Sequence, residues 1–96
     1  MEANESSKPV DGYEVLGMML QQCVELSWQK LGLQPDFMTG KISPDFSQAK
    51  ALIDAASAIG DILLPQLEDG DRRTVQNSIR DLRVNYVQRL QSGDSQ

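Results

Sequence analysis

The segment from Phe46 to Leu63 constrains the fold most, because its apolar residues follow a helical period on two adjoining faces. The first stripe contains Phe46, Ala49, Leu52, Ile53, Ala56, Ile59 and Leu63, and the second contains Ala51, Ala55, Ala58 and Ile62. A helix that is apolar on two faces is covered from two sides. We therefore expect this helix to be the central element, with a neighbour on each side.

A first helix is predicted from about Tyr13 to Leu31, because apolar residues recur there with spacings of three and four. Asp11 precedes it and is available as the N-cap. Gly32 follows the last periodic residue, where glycine adopts a left-handed conformation at little cost.

The start of the central helix is indicated by Ser43 as N-cap and Pro44 at the first helical position, where no amide donor is missed. Pro65 limits the helix to about Leu64, because proline cannot continue it.

A third helix is expected to begin within residues 68–71 and to end near Leu90. The fold class is thus all-α, either a three-helix bundle or a helical hairpin plus an N-terminal helix, with a structured connector between the first two helices. We expect one helical domain over residues 11–90, flanked by disordered tails at residues 1–10 and 91–96.

Charge and composition limit the function. Fourteen acidic residues outnumber nine basic ones, which disfavours binding to nucleic acid or to anionic lipid. The chain has no histidine and a single cysteine, Cys23, so the usual general base, metal ligands and internal disulfides are missing. We expect a cytoplasmic protein without a membrane span, with no catalytic activity and no cofactor or metal.

The fragment Thr39-Gly40-Lys41 is similar to the end of a phosphate-binding loop, but the rest of that motif is absent. Pro35 occupies the position of the first glycine, and Ile42 replaces the hydroxyl residue after the lysine. The pattern fits turn chemistry instead, with Pro35, Asp36 and Gly40 as turn residues.

Three apolar residues of this connector, Phe37, Met38 and Ile42, are expected to point back toward the helices. Trp28 should then be mostly buried beside the connector, packed against Phe37 or Ile42, because a large ring at a helix end can anchor a loop.

Asp54 is the charged residue with the most specific expected role. If the second and third helices form an antiparallel hairpin, Arg80 and Arg83 lie within about one helical turn of Asp54. A partly buried ion pair that fixes the register of the two helices is one interpretation, and a ligand-binding carboxylate is the other.

Several short motifs occur in one order: Trp28-Gln29-Lys30-Leu31-Gly32-Leu33, Pro35-Asp36, Thr39-Gly40-Lys41-Ile42, Gln48-Ala49-Lys50 with Leu52-Ile53-Asp54, and Asp81-Leu82-Arg83-Val84 with Tyr86-Val87. In these motifs the chain resembles the bacterial family known as domain of unknown function 1844, over roughly residues 13–88. The resemblance implies a small all-helical bacterial protein, and it implies no activity.

Two functional hypotheses follow. The first is a non-catalytic interaction or assembly module, expected to be a homodimer, with Met18, Leu26 and Trp28 as candidate interface residues, because two short helices cannot cover the whole first helix. The alternative is a small-ligand or weak metal-binding sensor that uses Asp54, Arg83 and the connector at residues 35–42.

Overall fold

The computed structural model describes residues 8–94, with side chains described for residues 8–92. Three α-helices make up the chain: α1 (Gly12–Lys30), α2 (Phe46–Leu63) and α3 (Asp69–Asp94). A short 3-10 helix (Leu64–Gln66) leads from α2 toward α3. The predicted all-α fold is confirmed. Most of the predicted N-terminal tail, and residues 95–96, lie outside the described residues.

The predicted ends of α1 are confirmed. Asp11 has an extended backbone, and its carboxylate accepts a hydrogen bond from the Tyr13 N–H at 2.9 Å, which satisfies one of the free amides of the first turn. At the other end, Gly32 follows the C-cap Leu31 with φ +81°. The left-handed backbone of Gly32 ends the helix, as the sequence predicts.

The predicted start of α2 is wrong by two residues. The N-cap is Asp45, not Ser43, because the Asp45 side chain accepts the Gln48 N–H at 3.0 Å. The Asp45 N–H in turn donates to the Lys30 carbonyl at 2.8 Å, so the same residue is tied to the end of α1. This second bond fixes Asp45 at the boundary and leaves Ser43 and Pro44 in the connector.

The third helix begins within the predicted range but runs beyond the predicted end near Leu90. It continues to Asp94, so residues 91–94 belong to α3 and not to a tail. Helical hydrogen bonding extends here past the last apolar position, which is the signal on which the prediction depended.

Two clusters of buried side chains form the core, and α2 contributes to both. The first cluster comprises Leu31, Ala49, Ile53 and Leu82, and the second comprises Leu20, Ala56 and Leu63. Because α1 residues late in the helix meet α2 residues early in the helix, α1 and α2 run antiparallel. Helix α2 contacts α1 most extensively and α3 to a lesser extent, which agrees with its expected central position.

Gly60 lies at a close contact between α2 and α3. A Cβ added at Gly60 would lie 3.0 Å from Ile79 Cδ1 and 3.3 Å from Val75 Cγ1. The two helices therefore pack where α2 has no side chain, and a larger residue would push them apart.

The expectation that the connector folds its apolar side chains inward is wrong. Phe37 and Met38 are 71% and 77% exposed, and Ile42 is also exposed. Trp28 is half-buried and packs against the first core cluster, between α1, α2 and α3. Hydrogen bonds hold the connector, so it needs no apolar anchor from the core.

Replacing Trp28 by alanine should lower the free energy of unfolding by about 3 kcal/mol, because a large ring leaves the core. Phe37→Ala is the matched control, since it removes an exposed ring and should change stability little. Urea unfolding followed by circular dichroism measures both variants. Equal losses for the two would contradict the placement of Trp28.

A second pair of variants tests the α2–α3 contact. Gly60→Leu should destabilise the chain by about 1 to 3 kcal/mol, because the new side chain meets Ile79 and Val75. Gly17→Ala adds a Cβ that has nothing within 4 Å, and should instead stabilise α1 by up to about 1 kcal/mol. A stable Gly60→Leu variant with an unchanged melting temperature would show that the helices do not pack closely there.

Candidate interaction surface

Two exposed stripes with the same spacing follow α1 and α2. On α1 the stripe is Val15, Met19, Gln22 and Leu26, and on α2 it is Ala51, Ala55, Ala58 and Ile62. Each has spacings of four, three and four residues, so its members lie within about 60° of one another around the helix. Six of the eight residues are exposed, and Leu26 and Ala55 are intermediate. We call the two stripes together the α1/α2 face.

Both stripes lie on the side of the α1–α2 pair that is opposite α3. On α2, the positions that meet α3 are near Gly60 and Ile53, about half a turn away from Ala55 and Ile62. On α1, Val24 faces the groove toward α3, and Leu26 lies about 160° away from it around the helix. The α1/α2 face is therefore a two-helix layer that α3 leaves open.

The sequence prediction that α2 is covered on both stripes is accordingly wrong for the second stripe. Ala51 and Ala58 are exposed, Ala55 is intermediate, and Ile62 is 55% exposed. Helix α3 packs on the Gly60 side of α2 instead, through Val75 and Ile79.

The α1/α2 face carries no charged side chain. Helices α1 and α2 contain six charged residues, and all of them lie at other positions: Glu14, Glu25, Lys30, Lys50, Asp54 and Asp61. Lys30 turns to the connector, where its Nζ lies 3.7 Å from Asp36. By helical position, Glu14 and Glu25 line the outer edge of α1, and the remaining three line the outer edge of α2. An uncharged face with charged edges is the arrangement found at protein interfaces.

The three interface residues predicted from the sequence do not share one face. Leu26 belongs to the α1/α2 face, and Met18, 68% exposed, lies beside it toward Glu14 and Glu25. Trp28 is on the other side of α1, half-buried and packed against the first core cluster. The sequence analysis did not predict Val15 and Met19 as interface residues. A row of uncharged residues spaced by four, three and four positions is the signal that could have identified them.

Asp54 and Arg83 come together across α2 and α3. Arg83 Nη1 donates to Asp54 Oδ1 at 3.2 Å, and Lys50 Nζ donates to Asp54 Oδ2 at 2.8 Å. Arg80 pairs instead with its neighbour Asp81, at 3.4 Å. The side chains of Arg83 and Asp54 are 49% and 46% exposed, so the expected partial burial of the guanidinium is wrong. Asp54 lies on the outer edge of α2, where the pair stays in contact with solvent.

The hydrogen bond from the Lys50 ammonium, together with the weaker one from Arg83, holds the pKa of the Asp54 carboxyl below its ordinary value of 3.8. The same contact raises the pKa of Lys50 above 10.5. Both groups are therefore charged at neutral pH. Exposed pairs of this kind add little stability, because solvent and salt screen them.

The connector is built around Asp36. Its Oδ1 accepts the N–H groups of Met38 at 2.8 Å and Thr39 at 3.2 Å, and its own N–H donates to the Lys41 carbonyl at 2.8 Å. Gly40 has φ +73°, and its N–H donates to the Asp36 carbonyl at 2.7 Å. Pro35 is exposed at the start of this turn. The connector satisfies its backbone locally, as turn chemistry requires.

The family model described as "Domain of unknown function (DUF1844)" matches residues 15–88. The chain belongs to this family. Comparison with curated proteins and with solved structures gave no match. The matched segment includes both stripes of the α1/α2 face, the connector and the Asp54–Arg83 pair.

Among the described side chains of residues 8–92, no three of the His, Cys, Asp or Glu type come together as metal ligands would. Among the helices of residues 8–94, none combines the length and apolar character that a membrane crossing requires.

The ion pairing of Asp54 predicts a small effect on stability that depends on pH. Asp54 has a lowered pKa in the folded chain, so it contributes stability above its unfolded pKa and loses that contribution as the pH falls through the folded value. Asp54→Asn should therefore lower the urea midpoint slightly at about pH 7 and leave it unchanged at about pH 2.5.

Asp61→Asn is the matched control for this comparison, because Asp61 lies two turns further along the same edge of α2 and has no ion pair among the described residues. At neutral pH, the urea midpoint of Asp61→Asn should differ from that of wild type by less than the midpoint of Asp54→Asn does. A large loss for Asp54→Asn at neutral pH would restore the register-fixing interpretation.

Proposed function

We propose that this chain is a non-catalytic helical module that self-associates through the α1/α2 face. The observation that carries the proposal is the uncharged, exposed two-helix layer opposite α3. Val15, Met19 and Ile62 are 37%, 48% and 55% exposed there, side by side on neighbouring helices. Contiguous exposed apolar surface on a small protein usually marks a contact with another molecule.

The energetics of burial favour this face over the others. Covering it removes apolar surface from water, at about 25 cal/mol per Å². No charge must be desolvated, whereas α3 places charged residues along its exposed sides. The charged residues at the outer edges of α1 and α2 would remain in water at the rim. Self-association through this face therefore desolvates no charged group, and the Gln22 amide is the polar side chain on the two stripes that the contact must accommodate.

The connector is a less suitable self-association surface, although Phe37 and Met38 are the most exposed apolar side chains there. Phe37 and Met38 lie in a narrow turn, and the charged residues Asp36 and Lys41 are near them in the sequence. The α1/α2 face is broader, and it lies on two regular helices. For this reason we place the contact on the helices.

Wild-type protein should sediment as a dimer of the 10.7 kDa chain at micromolar concentration, and its melting temperature should rise with concentration. Met19→Glu should shift the particle to monomer, because the carboxylate would be buried at the centre of the interface. Sedimentation equilibrium over a range of concentrations measures both.

Met38→Glu is the matched control, since it makes the same substitution at a more exposed methionine outside the α1/α2 face. It should leave the dimer unchanged. A wild-type mass equal to one chain at every concentration would overturn the proposal, and equal effects of the two variants would move the contact elsewhere.

A further inference from the structure

We infer that the occupant of the α1/α2 face is a second copy of the chain, oriented so that α1 of each copy packs over α2 of the other. The inference rests on the proposed self-association and adds the partner's orientation to it. In this arrangement the four helices of two α1–α2 pairs form a central bundle, and the two α3 helices lie on its outer sides.

The shapes of the two stripes carry the orientation. The α1 stripe is a ridge, with the larger side chains of Val15, Met19 and Leu26, whereas the first three positions of the α2 stripe are alanines. Packing α1 on α1 would oppose two ridges, and α2 would then meet α2 across a gap. Packing α1 on α2 sets Gln22 and Leu26 against alanines of the other copy and Met19 beside Ile62, so a larger side chain meets a smaller one over part of the contact.

The two stripes also match in spacing and direction. Both repeat at four, three and four residues, so side chains of one can interdigitate with the other along the contact. A two-fold axis parallel to the helices sets each α1 antiparallel to the partner's α2, just as α1 and α2 are antiparallel within one chain. The contact is then the same on both copies, as a closed dimer requires.

The size of the face suits a dimer. Each helix is about 27 Å long at 1.5 Å per residue. Two helices about 9 Å apart, with their side chains, present on the order of 500 Å² in projection. Stable interfaces cover about 800 Å² of accessible surface on each partner, and accessible surface exceeds projected area because side chains protrude. The α1/α2 face is therefore of the order that a specific dimer needs.

The internal register predicts which residues meet. Leu31 shares a core cluster with Ala49 and Ile53, and Leu20 shares one with Ala56 and Leu63. Taken together, these contacts set Gln22 about level with Ala58. A two-fold axis parallel to the helices preserves height along the bundle. Gln22 of one copy therefore lies opposite Ala58 of the other.

Cross-linking between single-cysteine chains tests this orientation. In a Cys23→Ala background, a Gln22→Cys chain and an Ala58→Cys chain with a different tag are mixed in urea, refolded together and oxidised. A disulfide requires Cα atoms within about 7 Å, so a mixed disulfide should form readily. Gln21→Cys mixed with Ala58→Cys is the control. Residue 21 lies about 100° from residue 22 around α1, so this mixture should give roughly tenfold less mixed disulfide.

Sedimentation of the same mixtures before oxidation separates the two proposals. If the protein is a dimer and the main product is a disulfide between two Gln22→Cys chains, α1 packs on α1 and the proposed orientation is wrong. A dimer that forms no disulfide also contradicts the orientation. A monomer before oxidation overturns the self-association itself. The pair Met19→Cys and Ile62→Cys tests the same register. It replaces the first pair if the Gln22→Cys or the Ala58→Cys chain fails to fold.

Discussion

The close contact between α1 and α2 is the interaction on which the rest of the structure depends, and small side chains make it possible. Ser27 of α1 and Ala49 and Ala56 of α2 are fully buried. The Ser27 hydroxyl donates to the Cys23 carbonyl at 2.7 Å, so its burial leaves no polar group unsatisfied. Helix α3 can then be added at Gly60, because the α1–α2 pair already presents Ile53 and Leu63 as a core.

Features set by neighbouring residues could be predicted from the sequence. The Asp11 cap, the turn at Gly32 and the inner stripe of α2 depend on a few consecutive positions and on helical period. The start of α2 could not be predicted in this way, because Ser43 and Asp45 are both suitable caps. The bond from Asp45 to Lys30 decides between them, and that bond exists only after the chain has folded.

Burial was harder to predict than helix position. The apolar period of Ala51, Ala55, Ala58 and Ile62 indicates that the stripe favours a covered environment, but it does not say whether the cover comes from the same chain. The pairing of Asp54 with Arg83 follows from the hairpin, whereas its exposure depends on the size of the side chains around it. Pattern alone does not distinguish a partner within the chain from a partner outside it.

The bond between the Asp45 N–H and the Lys30 carbonyl closes the connector at its base. The connector between these two residues leads from the end of α1 to the start of α2. The hydrogen bonds around Asp36 all lie within this segment. The tip at Gly40 has open space around it. The exposed side chains of Phe37 and Met38 can be replaced without disturbing the backbone bonds of the connector, so these positions suit the attachment of a fluorescent reporter.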